Sequence, residues 1–221
     1  MSEKFRVYIG LSERVTAIRY PASGKHIPLR LILAHGAGSN QLTPSMTRMA
    51  TALAGRGIET ITFNFFYSEK RKKVPDKNDR LEACWRGIIE PLVEKNRSLV
   101  IGGKSMGGRI ASQVAAADAS GIAGLVFLGY PLHPPGKPEM LRSKHLPAIR
   151  APMLFVQGAK DAFGTPAELK PILRTLKDAE LSVVEDADHS FKVPKRAALP
   201  QDKVDVFVLD QVEAWLRRRI A

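Results

Sequence analysis

The residues best placed to do chemistry are Gly103-Lys104-Ser105-Met106-Gly107. They stand between a short apolar run, Leu99 to Gly102, and an alanine-rich stretch, Met106 to Ala117. The pattern is G-x-S-x-G, in which a serine on a tight strand-to-helix turn becomes an exposed nucleophile. Glycines at 103 and 107 remove side chains where the turn would crowd its own neighbours, and Gly102 and Gly108 relax the packing further. The turn also puts the Met106 amide at a helix start, where it can donate to a developing oxyanion. The rival is a phosphate-binding loop, G-x-x-x-x-G-K-[ST]. Gly103-Lys104-Ser105 matches its end, but its first glycine falls on Ser98, so that reading fails.

A nucleophilic serine needs a base, an acid to orient the base, and oxyanion donors. His35-Gly36-Ala37-Gly38 follows an earlier apolar run and can aim an amide at the carbonyl oxygen, with Ala37 preferred over Gly36 as the donor. Losing one such donor costs roughly 3 kcal/mol of transition-state stabilisation. His35 could instead serve as base, but its place at the strand end suits bracing the loop better. Gly158-Ala159-Lys160-Asp161 offers a carboxylate at a sheet edge, and Asp186-Ala187-Asp188-His189-Ser190-Phe191 offers a histidine after the last strand. The order Ser105, Asp161, His189 is that expected of such a site. His189 would take the serine proton, and Asp161 would fix its tautomer. Asp186 and Asp188 lie closer in sequence, but that does not orient them. Gly36, His133 and Phe163 are candidate substrate contacts, and Lys137 and His145 could meet an anionic substrate or simply pack their loop.

The elements that must carry these residues alternate. Phe5 to Ile9 and Val15 to Tyr20 read as an antiparallel hairpin turning at Gly10 to Glu13. Strands follow at Leu29 to Ala34, Ile58 to Phe65, Leu99 to Gly102, Ile122 to Leu128, Met153 to Val156 and Leu181 to Val184. Helices are expected over Pro44 to Arg56, Arg80 to Glu94 with Pro91 bending it, Met106 to Ala117, Pro166 to Lys177 and Lys203 to Arg219. Ser68 to Asn78 is expected to be a loop. Strands apolar on both faces between helices imply an α/β fold with a mostly parallel sheet covered on both sides. The length of 221 residues suits a single domain over 1–221.

Composition narrows the function classes. Hydrophobic residues at 44% and charged residues at 25% describe an ordinary folded chain. No apolar run approaches the roughly 20 residues of a membrane span, and the first residues lack a signal-peptide pattern. With one cysteine, Cys84, no internal disulfide is possible, and a cytoplasmic location is expected. Five histidines without H-x-x-x-H pairing give no metal site, and no cofactor is expected. The net charge of +12 gathers partly in Lys70 to Lys73 and Arg217 to Arg219. It is read as solvated surface, because no nucleic-acid motif or interleaved aromatic pattern accompanies it.

Taken together, the chain resembles the alpha/beta-hydrolase superfamily, and within it the dienelactone-hydrolase-like branch. The carriers are His35 to Gly38, Gly102 to Ser112, Gly129 to Glu139, Phe155 to Gly158, Asp161 and Asp188 to Phe191. The Gly129 to Glu139 segment resembles a group that holds bacterial hydrolase-like proteins, testis-expressed hydrolase-like proteins and the hydrolase-like domain of a histone acetyltransferase complex subunit. The resemblance implies a sheet of about eight strands, a Ser-Asp-His triad, and hydrolysis of ester, thioester or amide bonds through an acyl-enzyme. Dienelactone hydrolases proper use cysteine where this chain has Ser105, so that substrate does not carry over. An esterase acting on a small acyl substrate is the leading expectation; a noncatalytic interaction or scaffold domain, a role attributed to some members of the group, is the alternative. Superfamily members often insert a cap after the sixth strand. Tyr130 to Leu146 is only about 17 residues, which excludes a full cap domain and implies a shallow or open pocket.

Overall fold

The computed structural model describes residues 1–10 and 12–221. Strands are β1 (Glu3–Ile9), β2 (Glu13–Tyr20), β3 (Leu29–Ala34), β4 (Glu59–Phe63), β5 (Ser98–Lys104), β6 (Ile122–Leu128), β7 (Met153–Gly158) and β8 (Ala179–Val184). Helices are α1 (Pro44–Gly55), α2 (Phe66–Glu69), α3 (Asn78–Ile89), α4 (Met106–Ala117), α5 (Pro166–Leu173) and α6 (Gln201–Arg219). The expected hairpin is present, with Glu3 to Ile9 paired to Arg19 to Glu13. Its expected turn, Gly10 to Glu13, includes Leu11, which lies outside the described residues.

The strands form one eight-stranded sheet in the order β1-β2-β4-β3-β5-β6-β7-β8. β1 and β2 are antiparallel to their neighbours, and the other six strands run parallel. The α/β expectation therefore holds, with the sheet close to the size anticipated. Side chains alternate across it, as a period of two requires. Leu29, Leu31, Leu33, Val100, Val126 and Leu154 pack beneath α1 and α6. Ile32, Ala34, Ile101, Phe127 and Phe155 face α3, α4 and α5.

Strand order dictates where a site can form. From β3 the chain moves outward to β4, then crosses back to β5 on the other side of β3 and continues to β8. The turns after β3 and β5 therefore diverge, leaving a crevice at their carboxyl ends. Those turns carry His35 to Gly38 and Ser105.

Element limits differ from the sequence reading where prolines and local hydrogen bonds decide. α3 stops at Ile89, and Glu90–Leu92 is a 3₁₀ turn, because Pro91 has no amide to continue the helix. The segment expected to be a loop from Ser68 begins inside α2, whose end is fixed by Lys70 N donating to Phe66 O (3.2 Å). α5 ends at Leu173 rather than Lys177, with Pro171 inside it; its start carries a capping box between Thr165 and Glu168. Among the described residues no helix is long and apolar enough to cross a membrane.

Candidate active site

Ser105 sits between β5 and α4 with φ 50° and ψ −118°, a left-handed conformation that L-residues rarely adopt. Close packing against the end of β3 forces the turn. A Cβ on Gly103 would stand 2.2 Å from Ala34 O, and one on Gly107 would stand 2.5 Å from the same oxygen and 2.7 Å from His35 O. The glycines thus make room for the neighbouring strand more than for each other, a refinement of the sequence argument. Gly108 does meet the turn itself, since its Cβ would lie 2.7 Å from Gly103 O.

Ser105 Oγ lies 2.8 Å from His189 Nε2, and His189 Nδ1 lies 2.7 Å from Asp161 Oδ2. These residues are 84 and 28 positions apart in the chain. The carboxylate facing Nδ1 assigns the proton there, so Nε2 is free to accept from the serine hydroxyl. Asp161 is 1% exposed and is satisfied from three sides. Besides His189, Gln157 Nε2 donates to Oδ2 (2.8 Å) and the Phe163 amide donates to Oδ1 (2.8 Å). A buried carboxylate with three donors is held in one orientation. The Phe163 ring packs on the imidazole of His189 at 4.2 Å between centroids.

The two neighbouring aspartates have other tasks. Asp188 accepts from the Ser190 and Lys192 amides (2.7 and 2.9 Å), shaping the loop that presents His189. Asp186 pairs with Lys160 at 2.6 Å.

The turn after β3 is braced from behind. His35 is fully buried, and burial pushes its pKa down to about 4, partly offset by its bond to Gly36 O. It is therefore neutral at pH 7: Nε2 accepts from the Phe65 amide (3.4 Å) and Nδ1 donates to Gly36 O (2.8 Å). The Tyr67 hydroxyl also donates to Gly36 O (3.3 Å), and burial raises its pKa to about 12. Because a trans peptide points its C=O and N–H in opposite directions, fixing Gly36 O turns the Ala37 amide away from His35. Gly36, Ala37, Ser105, Met106, Phe163 and His189 line one cleft of about 1420 Å³. Met106 opens α4, so its amide has no partner within the helix.

A hydroxyl, an imidazole and a buried carboxylate in line, beside the Ala37 and Met106 amides, can transfer a proton from Oγ and stabilise an oxyanion. Residues 28–217 match the alpha/beta hydrolase domain family. The chain belongs to that family. Its fold is shared with a dienelactone hydrolase from Anabaena variabilis (20% identity, TM-score 0.77, covering 100% of this chain and 99% of that one). It is shared too with a lidless α/β serine hydrolase from Xanthomonas campestris (20% identity, TM-score 0.76, covering 98% and 94%). An esterase domain from Rhodothermus marinus has 14% identity and a TM-score of 0.72, each chain covered in full.

In this alpha/beta hydrolase the proline-rich segment after β6 does not supply the contacts expected of it. His133 is 5% exposed and turned away from the cleft, with Nδ1 on Pro134 O (2.8 Å) and Nε2 on Glu168 Oε1 (3.2 Å). Its place as a substrate contact is therefore corrected to a packing role. His145 lies 2.7 Å from Ser112 Oγ, and burial, then the Arg109 charge, lowers its pKa to about 4. Lys137 is exposed and outside the cleft. From this segment, Pro131 and Arg142 line the cleft instead.

Three supporting residues escaped the sequence reading. Gln157 is fully buried and ties Asp161 to Tyr130, whose amide donates to Gln157 Oε1 (2.8 Å). Tyr67 fixes Gly36. Lys104, inside the elbow, donates to His189 O and stands 5.3 Å from the Phe191 ring centroid. Burial pushes the Lys104 pKa down to about 8 against the opposing pull of Asp161 and Asp188. A lysine between Gly103 and Ser105, at the end of an apolar strand, was the available signal.

Proposed function

We propose that the chain is a serine hydrolase that cleaves small esters through an acyl-enzyme. The observation that carries the reading is the continuous contact from Ser105 Oγ to His189 Nε2 (2.8 Å) and from His189 Nδ1 to Asp161 Oδ2 (2.7 Å). Ser105 Oγ attacks the ester carbonyl while its proton passes to Nε2. Asp161 holds the tautomer and stabilises the imidazolium without accepting the proton. The Met106 and Ala37 amides receive the oxyanion, each contributing roughly 3 kcal/mol to the transition state. His189 then protonates the leaving alkoxide. Water, activated by the same imidazole, releases the acid and restores Ser105. Gly36 leaves space beside the serine, and Phe163 forms a wall of the cleft over the histidine. All steps use this chain's own side chains and amides.

We take residues 1–221 as one domain acting in the cytoplasm on a small molecule, and assign it by its Gly129 to Glu139 segment to the group with testis-expressed hydrolase-like proteins. A scaffold domain has no need of a buried three-donor carboxylate aligned behind a histidine, which favours catalysis. Steady-state hydrolysis of a 4-nitrophenyl ester series tests the reading. Turnover by the native chain that disappears in both Ser105→Ala and His189→Ala supports it. Turnover that survives either change, or none across the series, counts against it.

A further inference from the structure

The cleft carries a pair of positive charges that the proposed acyl transfer does not use. Arg109 and Arg142 both line it, together with Ser105. Arg109 lies one helical turn beyond the nucleophile, its amide donating to Ser105 O (3.0 Å). Arg142 comes from the segment after β6. Among the described residues neither guanidinium has a carboxylate within the 4.0 Å of an ion pair, whereas nine of the other sixteen arginines do. The acidic residues lining the cleft are engaged elsewhere. Asp76 accepts from the Tyr67 amide (2.9 Å) and pairs with Arg80 (3.5 Å), and Asp205 accepts from Gln201 (2.9 Å).

Both arginines are held in place. Arg142 N donates to Leu132 O and its carbonyl accepts from the buried Tyr130 hydroxyl, each at 2.8 Å. The same segment is tied to α4 through His145 and Ser112, and Ser112 Oγ donates to Arg109 O (2.6 Å). Arg109 spends Nη1 on Asn78 Oδ1 (3.3 Å) and Gln113 Oε1 (3.1 Å), both neutral, so its Nε and Nη2 remain available. Arg142 makes no side-chain hydrogen bond among the described residues. Burial, and then the Arg142 charge, depress the Arg109 pKa, the mark of two like charges sharing a partly dry space. A guanidinium fork fits a carboxylate or phosphate bidentately, and an anion between two of them removes their repulsion.

We infer that Arg109 and Arg142 form an oxyanion-binding subsite, and that the ester substrate carries a second, ionised carboxylate or phosphate group away from the scissile bond. This rests on the serine-hydrolase reading for its substrate, but the anion subsite itself can be measured without turnover.

Three 4-nitrophenyl esters of matched length test it: butyrate, ending in methyl; succinate, ending in carboxylate; and 3-phosphonopropionate. The expected result is a kcat/KM for an anionic ester above that of butyrate by about 10- to 100-fold, the worth of a charge-assisted contact. Which anionic ester leads tells carboxylate from phosphate. The ratio collapses toward one in Arg142→Gln and Arg109→Gln, and Arg142→Lys restores part of it. A native chain that shows no preference for either anionic ester overturns the inference, as does a variant that slows all three esters by one common factor. Calorimetric titration of succinate and of inorganic phosphate into native chain and Arg142→Gln gives the separate readout. Should all three esters resist the native chain, the serine reading falls; anion binding that weakens at least tenfold in Arg142→Gln still upholds the subsite. Absence of anion binding to the native chain overturns it.

Discussion

Replacing Ser105 by glycine should stabilise the fold relative to replacing it by alanine, although both remove the nucleophile. Ser105 occupies φ 50°, ψ −118°. A non-glycine residue held in such a region costs of order 1–3 kcal/mol. Alanine keeps the Cβ and therefore the strain, whereas glycine relieves it. Glycine in turn loses about 0.4–1 kcal/mol through the greater freedom of its unfolded chain. Both variants lose the same contact with His189 Nε2, so it cancels in the comparison. The balance favours Ser105→Gly over Ser105→Ala by about 1 kcal/mol, or about 2–4 °C in melting temperature for a chain of this size. Thermal unfolding followed by circular dichroism, with urea titration of both variants, measures the difference. Ser190, which lies outside the positive-φ residues, is the control, and there glycine should be the less stable. A Ser105→Gly variant melting at or below Ser105→Ala would refute the claim that the fold stores strain at this turn.

Three further outcomes follow from the same geometry. Asp161→Asn should lower kcat by about 10⁴-fold, because an amide can donate to Nδ1 and select the wrong tautomer, and should cost about 1–3 kcal/mol of stability, because its buried N–H then meets a donor, Gln157 Nε2 or the Phe163 amide, that the carboxylate accepted from; ester kinetics beside a melting curve check it. Gly107→Ala should abolish activity and lower stability by about 1–3 kcal/mol, since the new methyl meets backbone oxygens of Ala34 and His35 that no rotamer change can relieve; a variant with native kinetics would be incompatible with this packing. Stability should fall as pH drops from about 6.5 toward 4. His35 has a folded pKa of about 4 against an ordinary 6.5, so the unfolded chain binds more protons between those values. The contribution is fully present above pH 6.5 and amounts to about 3 kcal/mol lost by pH 4. His145 shifts in the same direction. Urea midpoints at pH 7.5 and 4.5 in native chain and His35→Gln measure it, the variant having the flatter dependence.

The parts of the fold that were legible in the sequence are those set by local signals. β6 and α4 were bounded to the residue, because glycines and an unbroken apolar or alanine-rich run mark their ends. The elbow was legible because a crowded turn leaves only glycine around the serine. The order of Ser105, Asp161 and His189 was legible because each follows its own strand. What stayed hidden depends on which distant residue a polar group meets. Gln157 reads as one more position in a buried strand, and only the fold brings it to Asp161 and Tyr130. His133 had the chemistry of a substrate contact, yet Glu168, 35 positions away, and Pro134 take both ring nitrogens. Arg109 and Arg142 come from separate elements and share a cleft only after β6 and α4 are docked. Residue type names the capacity of a side chain, and tertiary packing decides where that capacity is spent.

The central claim is that Ser105 is a nucleophile activated by His189. Reaction of the folded native chain with a fluorophosphonate probe, with the modified residue located by peptide mass spectrometry, tests it most directly. The account predicts stoichiometric labelling confined to Ser105, absent in Ser105→Ala and strongly slowed in His189→Ala. A folded chain that resists the probe, or one labelled at another serine, would contradict it.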